Sequence, residues 1–276
     1  MVTYVAANTG AKRTPGVIPL HSEAGFEGMR KAGRVTAEAL DMLTDYVRPG
    51  VTTAEIDQLA FEFGRDRGAI PATLFYRGYR HSVCTSINHV VCHGIPSDRA
   101  LREGDIVNID LTYIVDGWHG DSSRMYPVGE ISRKAERLID VTYECLRRGI
   151  EAAKPGNTTG DIGAAIQRYA EAERMSVVRD FVGHGLGQLF HDEPNILHFG
   201  TPGMGPELRP GMIFTIEPMI NLGRPQVKIL SDGWTAVTRD RTLSAQCEHS
   251  IGITETGNEV FTASPAGLFN PLAARR

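Results

Sequence analysis

Four carboxylates are the residues of this chain whose type and spacing suit chemistry, and two of them sit on one short stretch. Arg102 to Asp121 reads REGDIVNIDLTYIVDGWHGD, with Asp110 on its first arm and Asp121 at its end. The first arm, Asp105 to Ile114, is rich in Ile, Val, Leu, Thr and Tyr, which is strand composition, and Val115-Asp116-Gly117 supplies turn chemistry. A hairpin centred near Asp116 sets position 110 opposite a position between 121 and 123. The two acids then share a face, where directly opposed residues are about 5 Å apart at Cβ. Carboxylates that close repel, and burying them is costly unless something cationic joins them. A surface hairpin with both acids solvated is the alternative, and the rest of the chain has to decide.

The elements around the hairpin occur twice. Arg48-Pro49-Gly50-Val51-Thr52-Thr53-Ala54-Glu55-Ile56 is echoed by Lys154-Pro155-Gly156-Asn157-Thr158-Thr159-Gly160-Asp161-Ile162, and a helix is expected after each. Arg102-Glu103-Gly104-Asp105-Ile106-Val107-Asn108-Ile109-Asp110 is echoed by Arg209-Pro210-Gly211-Met212-Ile213-Phe214-Thr215-Ile216-Glu217 at nearly the same spacing. Glu217 therefore answers Asp110. A strand from Ile213 to Ile220 and a returning strand from Leu243 to Thr254, carrying Glu248, complete the second half. This duplication predicts two αβ halves about a pseudo-twofold axis, about 22–127 and 128–276, each presenting acids to a shared centre. Further helices are expected from about Ser22 to before Arg48 and from about Ser132 to Ala153, and irregular strands from Pro71 to Ser86.

Four converging carboxylates would force one another to stay protonated, and two divalent cations would offset their charge in full. Imidazoles supply further ligands. His184 and His191 lie in the glycine-rich run GHGLGQLFH, and His93 in CHGIP. His21, His81, His89 and His198 are read as structural or surface residues. Oxygen ligands with one or two imidazoles and no thiolate suit manganese, iron or cobalt, with zinc also possible. Two such ions make a nucleophile from water near neutral pH and polarise a carbonyl, the two-metal pattern of hydrolases.

Composition limits the alternatives. The chain has 276 residues, 41% of them apolar and 22% charged, which describes a globular protein with ample core. A net charge of -4 gives no electrostatic reason to expect nucleic acid or an anionic membrane as partner. Cys84, Cys92, Cys145 and Cys247 are scattered, which fits a reduced, cytoplasmic setting. No signal peptide and no apolar run long enough to cross a membrane is expected. Residues 1–21, with Gly10, Pro15, Gly16 and Pro19, are read as an extended or disordered N-terminal extension to a single catalytic domain at 22–276.

The stretches VCTSINHVVCHGIP, GDIVNIDLTYIVDGWHGDSSRMYPVG, VVRDFVGHGLGQLFHDEP, MIFTIEPMIN and DGWTAVTRDRTLSAQCEHSI resemble the type I methionine aminopeptidases, in order, over nearly the whole of residues 22 to 262. The resemblance implies the pita-bread fold, an α+β architecture of two pseudo-symmetric halves around a central antiparallel sheet. It implies five metal ligands, Asp110, Asp121, His184, Glu217 and Glu248, with Asp121 and Glu248 bridging two divalent ions. His93 and His191 match histidines that contact the substrate beside the scissile bond, and Glu217 matches an acid that helps activate the bridging water. Tyr76, Tyr79, Cys84, Phe190, His93, His191 and Trp234 match the substrate pocket, where aromatic edges and a thiol suit a thioether. Thr73 stands where many relatives carry Cys. Asn88, Val90 and Ser244 match a monovalent-cation site, next to which His89 replaces a common acidic residue.

The function implied is removal of the initiator methionine from nascent chains with a small second residue, by attack of a dimetal-bridging hydroxide on the first peptide bond. The enzyme would be a cytoplasmic monomer of bacterial or organellar type, with transient ribosome association and no membrane or specific nucleic-acid partner. A proline-directed peptidase of the same fold, or a relative that binds without catalysis, are the alternatives. The aromatic pocket set counts against the first, and five intact ligands against the second.

Overall fold

The hairpin carrying Asp110 and Asp121 forms as its composition requires. Strands Ile106–Val115 and Trp118–Pro127 run antiparallel for ten residues each, joined by a two-residue turn. Asp116 and Gly117 both have positive φ, 50° and 82°, as a type I′ turn demands. The register pairs Asp110 with Ser123 and Thr112 with Asp121. The two acids are thus diagonal neighbours on one face. This computed structural model describes residues 2–7, 13–270 and 272.

The hairpin is one wall of a nine-stranded sheet in which every pairing is antiparallel. From one edge the order is Asp192–Ile196, Gly183–Gly185, Ile213–Ile216, Glu248–Ile253, Trp118–Pro127, Ile106–Val115 and Ile70–Pro71. Cys84–Ile87 also pairs with Ile106–Val115, and Asn258–Val260 with Glu248–Ile253. The seam between early and late chain is the pairing of Glu248 with Ser123 and His249 with Ser122.

Side-chain alternation divides the sheet into two faces. On Ile106–Val115 the odd positions Val107, Ile109, Leu111 and Tyr113 pack with Leu40, Leu43, Ile56 and Ala60. These last four come from helices α1 (Glu23–Leu43) and α2 (Thr53–Asp66). The even positions, Asp110 among them, face the other way. Behind the second half, Leu138, Ile139, Leu146, Ile162 and Ile166 pack with Phe214, Ile216 and Ile251. They belong to α3 (Arg133–Ala152) and α4 (Thr159–Ala172). Burying such side chains stabilises by about 1.5–3 kcal/mol each, so the helices hold the sheet from behind and leave its polar face free.

The helix starts have identifiable causes. At α2 the Glu55 N–H donates to Thr52 Oγ1 at 3.2 Å while Glu55 Oε2 accepts the Thr52 N–H at 2.7 Å. At α4 the Asp161 carboxylate accepts the Thr158 N–H at 2.8 Å. Isolated bridges join Thr52 to Ala100 and Thr158 to Glu207, the same relation in each half. Helix α1 crosses the hairpin at glycines: a Cβ on Gly120 would collide with the Ala32 carbonyl, and Thr36 Oγ1 donates to the Gly120 carbonyl at 2.8 Å.

Two expected strands are interrupted. The run from Ile213 breaks after Ile216, because Pro218 has no N–H to give a ladder, and resumes as Met219–Asn221 in another sheet. The run from Leu243 likewise divides at Cys247 into Ser244–Gln246 and Glu248–Ile253. Ser244–Gln246 and Met219–Asn221 form a three-stranded sheet with Ser176–Val177, and Val90–Cys92, Ala236–Thr238 and Val227–Ile229 form a second. The stretch from Pro71 to Ser86 contains a 3-10 turn at Tyr76–Gly78.

In the N-terminal extension Thr3–Ala6 pairs in parallel with Val17–Leu20. Tyr4 Oη donates to the Glu207 carbonyl at 2.7 Å beneath the Arg209 guanidinium, 4.0 Å from the ring centroid. Residues 1 and 8–12 of the extension, and 271 and 273–276 at the other end, lie outside the described residues.

Candidate metal centre and peptide cleft

The polar face of the sheet carries a tight acidic cluster. Asp121, His184 and Glu248 each offer a ligand atom within 4.8 Å of the others, and all three are buried. His184 Nε2 lies 3.6 Å from Asp121 Oδ2 and 3.7 Å from Glu217 Oε1. Asp110 is one strand away from Ser123, whose other neighbour is Glu248.

Small polar side chains set the rotamers. Thr112 Oγ1 donates to Asp121 Oδ1 at 2.6 Å, and Thr215 Oγ1 to Glu217 Oε1 at 2.8 Å. Gln246 Nε2 donates to Glu217 Oε2 at 3.2 Å, and the Glu217 N–H donates to His198 Nε2 at 3.0 Å. His184 Nδ1 donates to the Gly185 carbonyl at 3.0 Å. That bond fixes the tautomer, so the Nε2 lone pair faces the carboxylates.

The electrostatics are those of a site built for cations. Burial, then the charge of Asp121, holds the Asp110 carboxyl well above the usual carboxylate range. Burial pushes Asp121 up to about 7 despite the Thr112 hydrogen bond. Glu217 and Glu248 are raised by burial and then by neighbouring carboxylates, Asp121 first. Burial lowers His184 to about 4, so its imidazole is neutral and free to act as a ligand. No lysine or arginine pairs with any of the four acids among the described residues. Four buried, mutually repelling carboxylates with an imidazole lone pair aimed at them fit divalent cations and little else.

A cavity of about 580 Å³ opens above the cluster. Asp110, Asp121, His184, Glu217, Glu248, His93, His191, Tyr76, Tyr79, Cys84, Phe190 and Trp234 all line it. The His191 ring stacks on Tyr76 at a centroid distance of 5.2 Å and lies tilted against His184 at 4.1 Å, and its Nδ1 is 3.0 Å from Tyr76 Oη. Burial chiefly, with the charges of Arg77 and Arg13 and the neighbouring His184 and His93, lowers its pKa to about 2, so it is neutral at pH 7. His93 has φ of 56°, a strained value of the kind concentrated at working sites, and its ring meets Phe181 and Trp234 edge-on at 5.4 and 6.2 Å. Tyr79 Oη donates to the carbonyls of Val83 and Gly94 at 3.0 and 3.2 Å, and its ring meets Trp234 at 5.0 Å. Burial and then Asp110 raise the Cys84 thiol well above its usual value, which keeps it a neutral wall rather than a nucleophile.

Several cavity residues escaped the sequence reading: Cys92, Phe181, Met219, Asp180, Arg13 and Arg77. Thr112 and Thr215 carried a signal, each two positions from a cluster acid and so on its face of the strand. His198, read as structural, is fully buried and supports Glu217. Thr73 lines the cavity with its hydroxyl donated to the His81 carbonyl at 2.9 Å. Asn88 and Ser244 meet outside it, where the Ser244 N–H donates to the Asn88 carbonyl at 2.9 Å, and Val90 pairs with Val237.

Residues 27–255 match the description of metallopeptidase family M24. The chain belongs to that family. It is 56% identical over 256 residues to the methionine aminopeptidase of Rickettsia prowazekii, across 92% of this chain and 98% of the relative. Against the methionine aminopeptidase of Escherichia coli K12 it is 49% identical over 247 residues, across 89% and 94% of the two chains. The crystal structure of the Rickettsia prowazekii enzyme superposes with a TM-score of 0.88 at 55% identity, over 89% of this chain and 99% of that one. Prolidase from Pyrococcus furiosus, 21% identical with a TM-score of 0.72 over 88% of this chain and 65% of that one, shares the fold alone. The M24 chain is therefore a metallopeptidase of the methionine aminopeptidase type with the pita-bread fold. M24 enzymes use divalent metal, which the acidic cluster is chemically suited to hold. Among the described residues no helix is long and apolar enough to cross a membrane.

Proposed function

We propose that this M24 enzyme removes the N-terminal methionine from nascent proteins and peptides whose second residue is small. The observation that carries the reading is the sharing of one cavity by the buried acidic cluster and an aromatic and thiol-lined pocket. Asp110, Asp121, His184, Glu217 and Glu248 would hold two divalent ions, of manganese, iron, cobalt or zinc. Bound there, the ions would lower the pKa of water and polarise the first peptide carbonyl.

The chain's own residues do the rest. Glu217, oriented by Thr215 and Gln246, is the carboxylate that takes a proton from the attacking water. In the tautomer where His191 Nδ1 accepts from Tyr76 Oη, the Nε2 proton of that neutral ring is free to face the peptide. His93, held beside Trp234, contacts the other side of the scissile bond. Tyr79, Cys84, Phe190 and Trp234 present ring edges and a thiol to the thioether, a contact that favours methionine over a branched aliphatic chain. Asn88, Val90 and Ser244 would serve a monovalent cation away from the chemistry. The reading carries with it a cytoplasmic monomer that meets its substrates as they leave the ribosome.

The test is hydrolysis of a Met-Gly peptide and an Ala-Pro peptide by chelator-stripped protein titrated with each metal. Metal-dependent release of methionine with the Ala-Pro peptide untouched is expected. Cleavage of Ala-Pro alone would move the enzyme to the proline-directed branch of the fold.

A further inference from the structure

The N-terminal segment reaches the peptide cleft. It is fastened on either side of residues 8–12: the Ala7 N–H donates to the Leu20 carbonyl at 2.9 Å, and the His21 N–H to the Gly211 carbonyl at 2.7 Å. From this segment Arg13 extends to the strand Asp192–Ile196, where Nη2 donates to Glu193 Oε1 and Asn195 Oδ1, both at 3.1 Å. That strand follows directly on His191. Arg13 and Asn195 both line the cleft.

Arg13 is placed to meet substrate rather than metal. It bonds to none of the cluster residues, and its side chain is 38% exposed at the rim. Among the described residues only Nη2 of Arg13 is hydrogen-bonded, and a guanidinium carries five N–H donors. Arg77 also lines the cleft, its guanidinium 5.2 Å from the Tyr76 ring centroid. Arg13 is ion-paired with Glu193 at 3.1 Å, and Asp180 is a carboxylate of the lining outside the acidic cluster. A peptide whose first residue fills the aromatic pocket runs outward by about 3.3–3.6 Å per residue, which brings later side chains past this rim.

We propose that Arg13, carried by the N-terminal segment, is a specificity-determining residue that pairs with an acidic side chain at the third or fourth position of the substrate. The inference rests on the aminopeptidase reading above. A rim-exposed guanidinium and carboxylate support a preference of roughly two- to fivefold, screened by salt.

The experiment uses the metal-loaded enzyme and C-terminally amidated tetrapeptides Met-Ala-X-Ala and Met-Ala-Ala-X, with X as Glu, Gln or Lys. The expected result is a Glu-over-Lys ratio in kcat/KM of roughly two to five at low salt for one of the positions, carried in KM. The ratio should fall to near one in Arg13→Gln, drop below one in Arg13→Glu, recover in Arg13→Lys and rise in Asp180→Asn. Met-Ala-Ala with a free C-terminus, run beside its amide, separates a terminal carboxylate from a side-chain one; a preference confined to the free terminus would overturn the proposal. Equal ratios in the wild type, Arg13→Gln and Arg13→Glu would also overturn it. If the metal-loaded wild type released no methionine from any of these peptides, the aminopeptidase reading itself would fall.

Discussion

Asp110 and Glu248 flank a single residue: Ser123 is the register partner of Asp110 on one side and of Glu248 on the other. Three adjacent strands, spaced about 4.8 Å apart, therefore line up two acids with a small hydroxyl between them. Asp121 lies diagonal to Asp110 on the same face and is the charge that most raises both glutamates after burial itself.

From that position we expect Asp121→Asn to lower turnover roughly a thousandfold or more, the effect of losing several kcal/mol of transition-state stabilisation. The change keeps side-chain volume and the Thr112 contact, so the circular dichroism spectrum should be unaltered. Metal content by elemental analysis should fall with activity. Full activity in the metal-reconstituted variant would remove Asp121 from the site.

His93 faces the cavity without belonging to the cluster. His93→Ala should lower kcat roughly a hundredfold, the usual scale of a positioned acid–base group, while bound metal stays at the wild-type level. Parallel loss of metal and rate would instead make His93 a ligand.

The raised carboxyl pKa values predict how metal and pH act together. Asp121 rises from an unfolded value near 3.8 to about 7 in the metal-free fold. Between those limits the folded state holds a proton that the unfolded state has lost, so this group makes stability fall as pH rises. A divalent cation removes that penalty but competes with protons for the same oxygens. Saturation at about a hundred times Kd contributes about 2.7 kcal/mol, a rise of about 5–10 °C in melting temperature. Thermal scans should show the gain at pH 7.5 and a much smaller one at pH 5. An equal gain at both would mean that the metal does not bind these carboxylates.

Gly120 tests the packing that holds the hairpin against α1. Gly120→Ala should destabilise the metal-free fold by about 1–3 kcal/mol in urea unfolding, because the new methyl meets the Ala32 carbonyl and backbone must move. Wild-type stability would show that the helix can shift freely.

The elements with strong local chemistry were the legible ones. Asp116-Gly117 announced the hairpin, and Thr52 with Glu55 announced α2, because a type I′ turn and a capping box are decided within a few residues. The strand breaks at Pro218 and Cys247 were not read, since strand-forming residues resume after each and Cys247 carries no turn chemistry. Pro218 was a usable signal. The four carboxylates and the candidate histidines came from the hairpin, the duplication and the glycine-rich runs, while the full ligand set and the pocket came from likeness to a family, and all of these residues do meet in one cavity. Phe181 and Met219 stand three and two positions from His184 and Glu217, yet apolar residues there read equally well as core. Arg13 enters the cleft from a segment distant in sequence, and only the tertiary fold decides that.

The seam strand has a consequence for how the enzyme comes into being. Ser122 Oγ donates to the Glu248 carbonyl across 126 residues of chain, at 2.7 Å. Contacts of such long span close late, because the entropy of joining distant segments must be met before they contribute. Neither half, made alone, owns a complete set of the clustered acids. Newly synthesised enzyme is therefore expected to stay inert until nearly all of its own chain is available to fold, so that metal uptake at the proposed ligands would report that folding is finished.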